Sequence, residues 1–119
     1  MLNLGSHLRV YVCAKPTDMR CSFEGLSYRV REVVKEDPLS GHLFVFFNRS
    51  RDKLKILYFD RTGYAIWYKE LQRGTFRCPS KREITAAELS CILEGLEIEG
   101  VRRRKRFSLR KEIAPMLGA

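Results

Sequence analysis

PLSGHLFVFFNRSRDKLKILYFDRTGYAIWYKEL, residues 38 to 71, decides the fold. Three apolar runs, His42 to Asn48, Leu54 to Asp60 and Tyr64 to Leu71, stand between two polar breaks. The runs are rich in β-branched and aromatic residues and contain no internal Gly or Pro, as strands do. The first break, Asn48 to Lys53, is polar throughout. The second, Asp60-Arg61-Thr62-Gly63, has Asp first and Gly fourth, the signature of a type I turn. Short breaks join antiparallel neighbours, so the stretch predicts a three-stranded meander.

Alternation assigns the faces. In the first strand Leu43, Val45 and Phe47 oppose Phe44 and Phe46, so both faces are apolar and both need cover. In the second, Leu54, Ile56 and Tyr58 oppose Lys53, Lys55, Leu57 and Phe59, a face expected to be cationic and wet at one end. In the third, Ala65, Trp67 and Lys69 alternate with Tyr64, Ile66 and Tyr68.

On the N-terminal side, LRVYVC at 8 to 13 alternates as a strand and ends before Pro16. A helix is predicted from Ser22, a good N-cap residue, to no further than Asp37, because Pro38 follows. Leu26, Val30, Val33 and Val34 form its apolar stripe, and Arg29, Arg31, Glu32 and Lys35 fall on the outer face. On the C-terminal side, residues 72 to 76 read as a turn and a short extended piece. A second helix opens at Thr85, with Glu88 three residues later as a capping box and Ile84 and Leu89 as a staple. Gly95 stands where that helix would stop, and Leu96 and Ile98 are expected to return to the core. The expected fold is therefore α+β: a single domain over 1–100, a largely antiparallel sheet built on the meander, and one or two covering helices. A basic tail over 101–119 follows it.

The chain has 119 residues and a formal net charge of +9. Residues 102 to 119 hold seven Lys or Arg against one Glu, so most of the excess lies in the tail. A basic balance of this kind fits a polyanionic partner, and nucleic acid is the natural one. No apolar run approaches the ~20 residues that span a bilayer. MLNLGSHLRV lacks the basic and apolar regions of a signal peptide. A cytoplasmic protein with no membrane partner is expected. The four cysteines, Cys13, Cys21, Cys78 and Cys91, have no zinc-type spacing and are expected to be reduced thiols.

No residue pattern supports catalysis. The carboxylates form no short-spaced cluster. Asp18, Asp52 and Asp60 could supply metal oxygens only if the fold gathered them, and each has a simpler reading as cap, loop charge or turn residue. His42 lacks a positioned partner, and the glycines are isolated, so no phosphate-cradling loop is present. No enzyme activity, metal or cofactor is expected. The candidate DNA-binding residues are Arg49, Arg51, Lys53 and Lys55 at the first hairpin and Arg102, Arg103, Arg104, Lys105 and Arg106 in the tail. Tyr58, Tyr64, Trp67 and Tyr68 read either as core residues or as stacking platforms for bases.

Four stretches carry a resemblance: PTDMR at 16 to 20, SFEGL at 22 to 26, DPLSGHLFVF at 37 to 46, and LKILYFDRTGYAIWYKELQRGTF at 54 to 76. In that order they resemble the Orf2-like (TnpB) accessory proteins of insertion-sequence family sixty-six, over about residues 1 to 98. These proteins are unrelated to the RNA-guided nuclease that shares the letters TnpB. The resemblance implies a small, basic, non-enzymatic protein encoded beside a separate transposase and needed for efficient transposition. It would bind DNA, the transposase or other element-encoded proteins, or several of these; the alternative is a protein-interaction module for the transposase with little DNA binding of its own. Asp18 and Arg20 of PTDMR are the candidate partner-binding residues. Two departures stand out: Cys21 occupies a position usually held by Lys, and the run Arg102 to Arg106 is heavier than the family pattern.

Overall fold

A computed structural model describes residues 7–95. The basic run Arg102 to Arg106, the tail from 101, and Leu96 and Ile98 lie outside the described residues. A five-stranded sheet has the order β4-β3-β2-β1-β5, with β1 Val10–Val12, β2 Leu43–Phe47, β3 Lys53–Asp60, β4 Gly63–Glu70 and β5 Glu83–Ile84. β2, β3 and β4 are the expected antiparallel meander. β1 joins β2 in parallel, Val10 opposite Leu43 and Val12 opposite Val45, and β5 joins the other side of β1 antiparallel. The parallel pair requires a crossover. Helix α1, Phe23–Arg29, provides it.

The sheet lies between two apolar layers, as the two-faced β2 demanded. On one face Val10, Val12, Val45, Phe47, Leu54 and Ile56 pack with Leu89 and Ile92 of helix α2, Ala86–Leu93, and with Phe76. On the other, Tyr11, Phe44, Phe46 and Leu57 pack with Leu26, Val30 and Val34. All five residues of β2 are buried. Phe76 is also fully buried, although its surroundings read as a turn. Its N–H donates to the Arg51 carbonyl at 2.7 Å, which fastens the 72–76 segment to the β2–β3 loop.

Local signals hold with three corrections. The first helix ends before Asp37, as expected, but it is not one α-helix throughout. After Arg29 it widens into a π-helical turn, Val30–Val34, in which the Val30 carbonyl accepts from Lys35 N–H at 2.7 Å. It then stops at Lys35, whose φ of 67° is left-handed. Ser22 occupies the N-cap without a side-chain capping bond. The exposed end of this layer is closed from across the fold, where the Arg82 guanidinium donates to the Val34 carbonyl (2.7 Å) and to Glu36 (2.6 Å). A cation at a helix C-terminus meets unpaired carbonyls there.

The second correction concerns the β3–β4 turn. It is not type I, because Arg61 has φ of 51° and the Thr62 N–H donates to the Asp60 carbonyl. Positive φ at this position matches the right-handed strand twist better than a type I turn does. The third is Lys55. It is 8% exposed and does not belong to a wet cationic face. At the start of α2 the expectation holds in full: Thr85 Oγ accepts from Glu88 N–H at 3.0 Å, and Glu88 accepts from Thr85 N–H at 2.8 Å. Gly95, with φ of 81°, follows that helix.

A candidate cationic groove

Pro16 to Arg20 form the first wall of the groove. The backbone from Cys13 onward continues alongside β2: Cys13 N–H donates to Val45 O (2.9 Å) and Thr17 N–H to Phe47 O (2.8 Å). Pro16 ends the strand, and Thr17 is buried. The chain then turns. The Asp18 carboxylate accepts from Arg20 N–H (2.8 Å), and the Asp18 carbonyl accepts from Cys21 N–H (3.0 Å). The Arg20 guanidinium folds back on the same carboxylate, with Nη2 2.6 Å from Oδ2. Arg20 holds the Asp18 carboxyl down at about 2, first through this side-chain bond and then through its backbone N–H. The Arg20 side chain is nevertheless 91% exposed. Such a surface pair adds little stability; its effect is to orient the guanidinium.

Lys55 explains why this wall stays in place. From β3 its ammonium donates to the carbonyls of Met19 (2.7 Å) and Cys21 (2.8 Å) and lies 4.8 Å from the centre of the Tyr68 ring. A buried cation must be matched by acceptors. Lys55 is therefore withdrawn from the DNA-binding set: its charge is already engaged inside the fold.

The β2–β3 loop is the second wall. Asn48 braces it, its amide donating to Asp52 (2.8 Å) and its Oδ1 accepting from Lys53 N–H (3.0 Å). The Asn48 bond is the main reason the Asp52 carboxyl is held below its ordinary value. Arg49 and Arg51 project outward from this loop. Lys53 is partly neutralised, lying 3.8 Å from Asp52 and 3.6 Å from Glu70 across the β3–β4 pair.

These two segments line an open groove of about 740 Å³, to which Arg29 and Tyr68 also contribute. Its lining holds four cations, Arg20, Arg29, Arg49 and Lys53, against one carboxylate, Asp18. The fold thus brings the candidate partner-binding pair, Asp18 and Arg20, beside two candidate DNA-binding residues, Arg49 and Lys53. Arg51 does not line it. Arg29 is a member that sequence reasoning placed on the outer face of a helix. Its Nη2 donates to Pro16 O at 3.0 Å, while its Nε is buried with no hydrogen-bond partner among the described residues. Tyr68 is 50% exposed, whereas Tyr58 and Trp67 pack against one core layer and Tyr64 against the other. The stacking reading therefore survives for Tyr68 alone.

Other candidates are structural. His42 Nδ1 accepts from Arg9 N–H at 3.1 Å. Asp52 precedes β3 and Asp60 ends it, so the two stand at opposite ends of one strand. Among the described residues no group of three or more His, Cys, Asp or Glu is placed to hold a metal ion. All four cysteines are free, and burial pushes the Cys78 thiol up. No helix among the described residues is long and apolar enough to cross a membrane.

The stretches singled out in the sequence divide the same way. Asp37 to Gly41 build the turn into β2, with Asp37 accepting from Leu39 N–H at 2.9 Å, and 54 to 71 build the hairpin. The stretches 16 to 20 and 22 to 26 each leave three of five residues exposed, and 16 to 20 lines the groove.

Comparison with known proteins agrees with these stretches. A family model described as IS66 Orf2 like protein matches residues 8–103. The chain is 43% identical over 101 residues to uncharacterized protein y4hO of Sinorhizobium fredii (strain NBRC 101917 / NGR234), covering 82% of this chain and 88% of that protein. It is 30% identical over 108 residues to uncharacterized protein y4jC of the same strain, covering 87% and 92%. No solved structure matches.

Proposed function

The chain belongs to the IS66 Orf2-like protein family, and on that premise we propose that it is a non-enzymatic accessory protein of an insertion sequence that assists transposition by binding DNA. One observation carries the DNA part: the groove walled by 16–20 and the β2–β3 loop gathers four cations around one carboxylate. Phosphate contacts by Lys and Arg supply most of the affinity in sequence-independent binding. Arg49 and Arg51 extend the cationic surface beyond the groove. The run Arg102 to Arg106 would add long-range attraction, as its charge alone implies. Base-reading side chains are not part of this proposal, so the protein alone would discriminate weakly between sequences.

A second reading is a module that holds the transposase and touches DNA little. Phe23 and Tyr28, which α1 leaves 44% and 59% exposed, favour it. Both readings share the cytoplasm as the place of action.

Binding to DNA, duplex and single-stranded, measured across a salt series tests the proposal. Each phosphate contact contributes about 0.9 to the slope of log affinity against log salt. Arg20→Ala with Arg49→Ala is expected to lower the slope by about one to two units, and deletion of 102–119 by several. Slopes equal to that of the full chain in both variants would overturn the DNA reading. Capture of the transposase that persists after nuclease treatment would then support the second.

A further inference from the structure

We infer that the groove receives an unpaired stretch of DNA, with phosphates on Arg29 and Arg49 and a base stacked on Tyr68. This rests on the DNA-binding reading above and names the form of DNA the site takes.

Shape is the first argument. A duplex is read by protein parts that protrude into its grooves, the major groove being about 12 Å wide. The site here is concave. Its volume of about 740 Å³ lies within the ~300–1,000 Å³ of clefts that enclose one small ligand. That is room for a nucleotide or two, and far too little for a double helix.

The chemistry of the lining is the second. Single-strand sites combine a cationic track for the backbone with an aromatic ring on which bases stack. Arg20 and Arg49 come from two different segments that line the groove, so a strand entering it meets cations from both. Arg29 lines the same groove, and its Nη2 is anchored to the Pro16 carbonyl, so the guanidinium is held in place there as a third cation for the backbone.

Tyr68 is the third. Cross-strand partner to Lys55 in the β3–β4 register, it has that ammonium 4.8 Å from its ring centre, which fixes the ring, while half of the side chain stays open in the groove. A half-exposed tyrosine in the lining of a cationic cleft is poorly explained by the core, against which Trp67 and Tyr64 already pack.

Fluorescence anisotropy with the full chain tests the inference on three labelled probes of equal length: a thymidine oligonucleotide, a blunt duplex, and an abasic oligonucleotide. Tyr68→Leu keeps an apolar side chain but removes the π face; Tyr68→Phe keeps both. Tyr68→Leu is expected to weaken binding to the thymidine strand about ten-fold. Its salt slope should be unchanged, and its binding to the duplex and the abasic strand should match the parent. Tyr68→Phe should stay within about two-fold of the parent on every probe. Equal losses on all three probes, or no loss on the single strand, would overturn the inference and leave duplex binding standing. Failure of the parent chain to bind any probe would overturn the DNA-binding reading itself.

Discussion

Lys55→Met removes an ammonium and keeps most of its apolar stem. The perturbation therefore isolates what the charge does at the junction of β3 with the 16–20 segment. Two carbonyls, those of Met19 and Cys21, lose their donor. Hydrogen bonds to a charged group contribute about 1.5–3 kcal/mol each. Against this, methionine does not have to strip water from an ammonium, and one of the freed carbonyls can rehydrate at the groove. A net loss of about 3 kcal/mol is expected. With a slope of about 1.5 kcal/mol per M for a domain of this size, the urea midpoint should fall by about 2 M. Chemical denaturation followed by Trp67 fluorescence measures it. Amide exchange should show that the segment around Met19 is the first to lose protection. A midpoint shifted by less than about 0.3 M, together with weakened DNA binding, would refute the reasoning. It would return Lys55 to the solvated surface that simple alternation assigns it.

Lys35→Gly should stabilise the fold by about 1 kcal/mol, because the left-handed backbone at the end of the π-helical turn penalises a Cβ; an unchanged or lower melting temperature would count against that reading. Thr85→Ala removes the Oγ that accepts from Glu88 N–H, while the backbone N–H of residue 85 can still donate to Glu88, and should cost about 1 kcal/mol, read from the thermal midpoint. The Asp18 carboxyl, held at about 2 by Arg20, should titrate by NMR well below the ordinary aspartate value, and Arg20→Ala should move it up. Because the folded value is lowered, this carboxylate favours the folded state above the unfolded value near ~4 and stops doing so as pH falls toward 2. Any change in stability between pH 5 and 8 must come from other groups.

The meander was legible because its three runs are rich in β-branched and aromatic residues and their breaks are short. The capping box at Thr85 was legible because every part of it lies within four residues. Pairing was not: LRVYVC announces a strand, but nothing local says that β1 runs parallel to β2 or takes Glu83–Ile84 as its other neighbour. Lys55 was misread because alternation reports which way a side chain leaves the strand and not what waits there. Here backbone carbonyls from a segment far away in sequence waited. The groove was invisible for the same reason. It is assembled from 16–20, Arg29, the β2–β3 loop and Tyr68, and periodicity links none of these to another. Arg29 carried only the signal of a polar residue on an amphipathic helix. The one hint was chemical: Arg49 and Lys53 flank a loop, and Arg20 lies in a stretch too polar to be core.

Strand order also sets a schedule for synthesis. β1 leaves the ribosome first, and α1, β2, β3 and β4 follow, each able to pack on what precedes it. The outer edge of β1, however, waits for Glu83 and Ile84, and Val12 N–H waits for the Arg82 carbonyl. α2, whose Leu89 and Ile92 pack on one apolar face, comes later still. A nascent chain paused after Glu70 would hold a finished hairpin beside a strand with one bare edge and a sheet with one naked side. Bare edges and uncovered apolar faces are what aggregation exploits and chaperones bind. For this protein the interval between the emergence of β4 and that of α2, and not the folding of the meander itself, is the one most exposed to error.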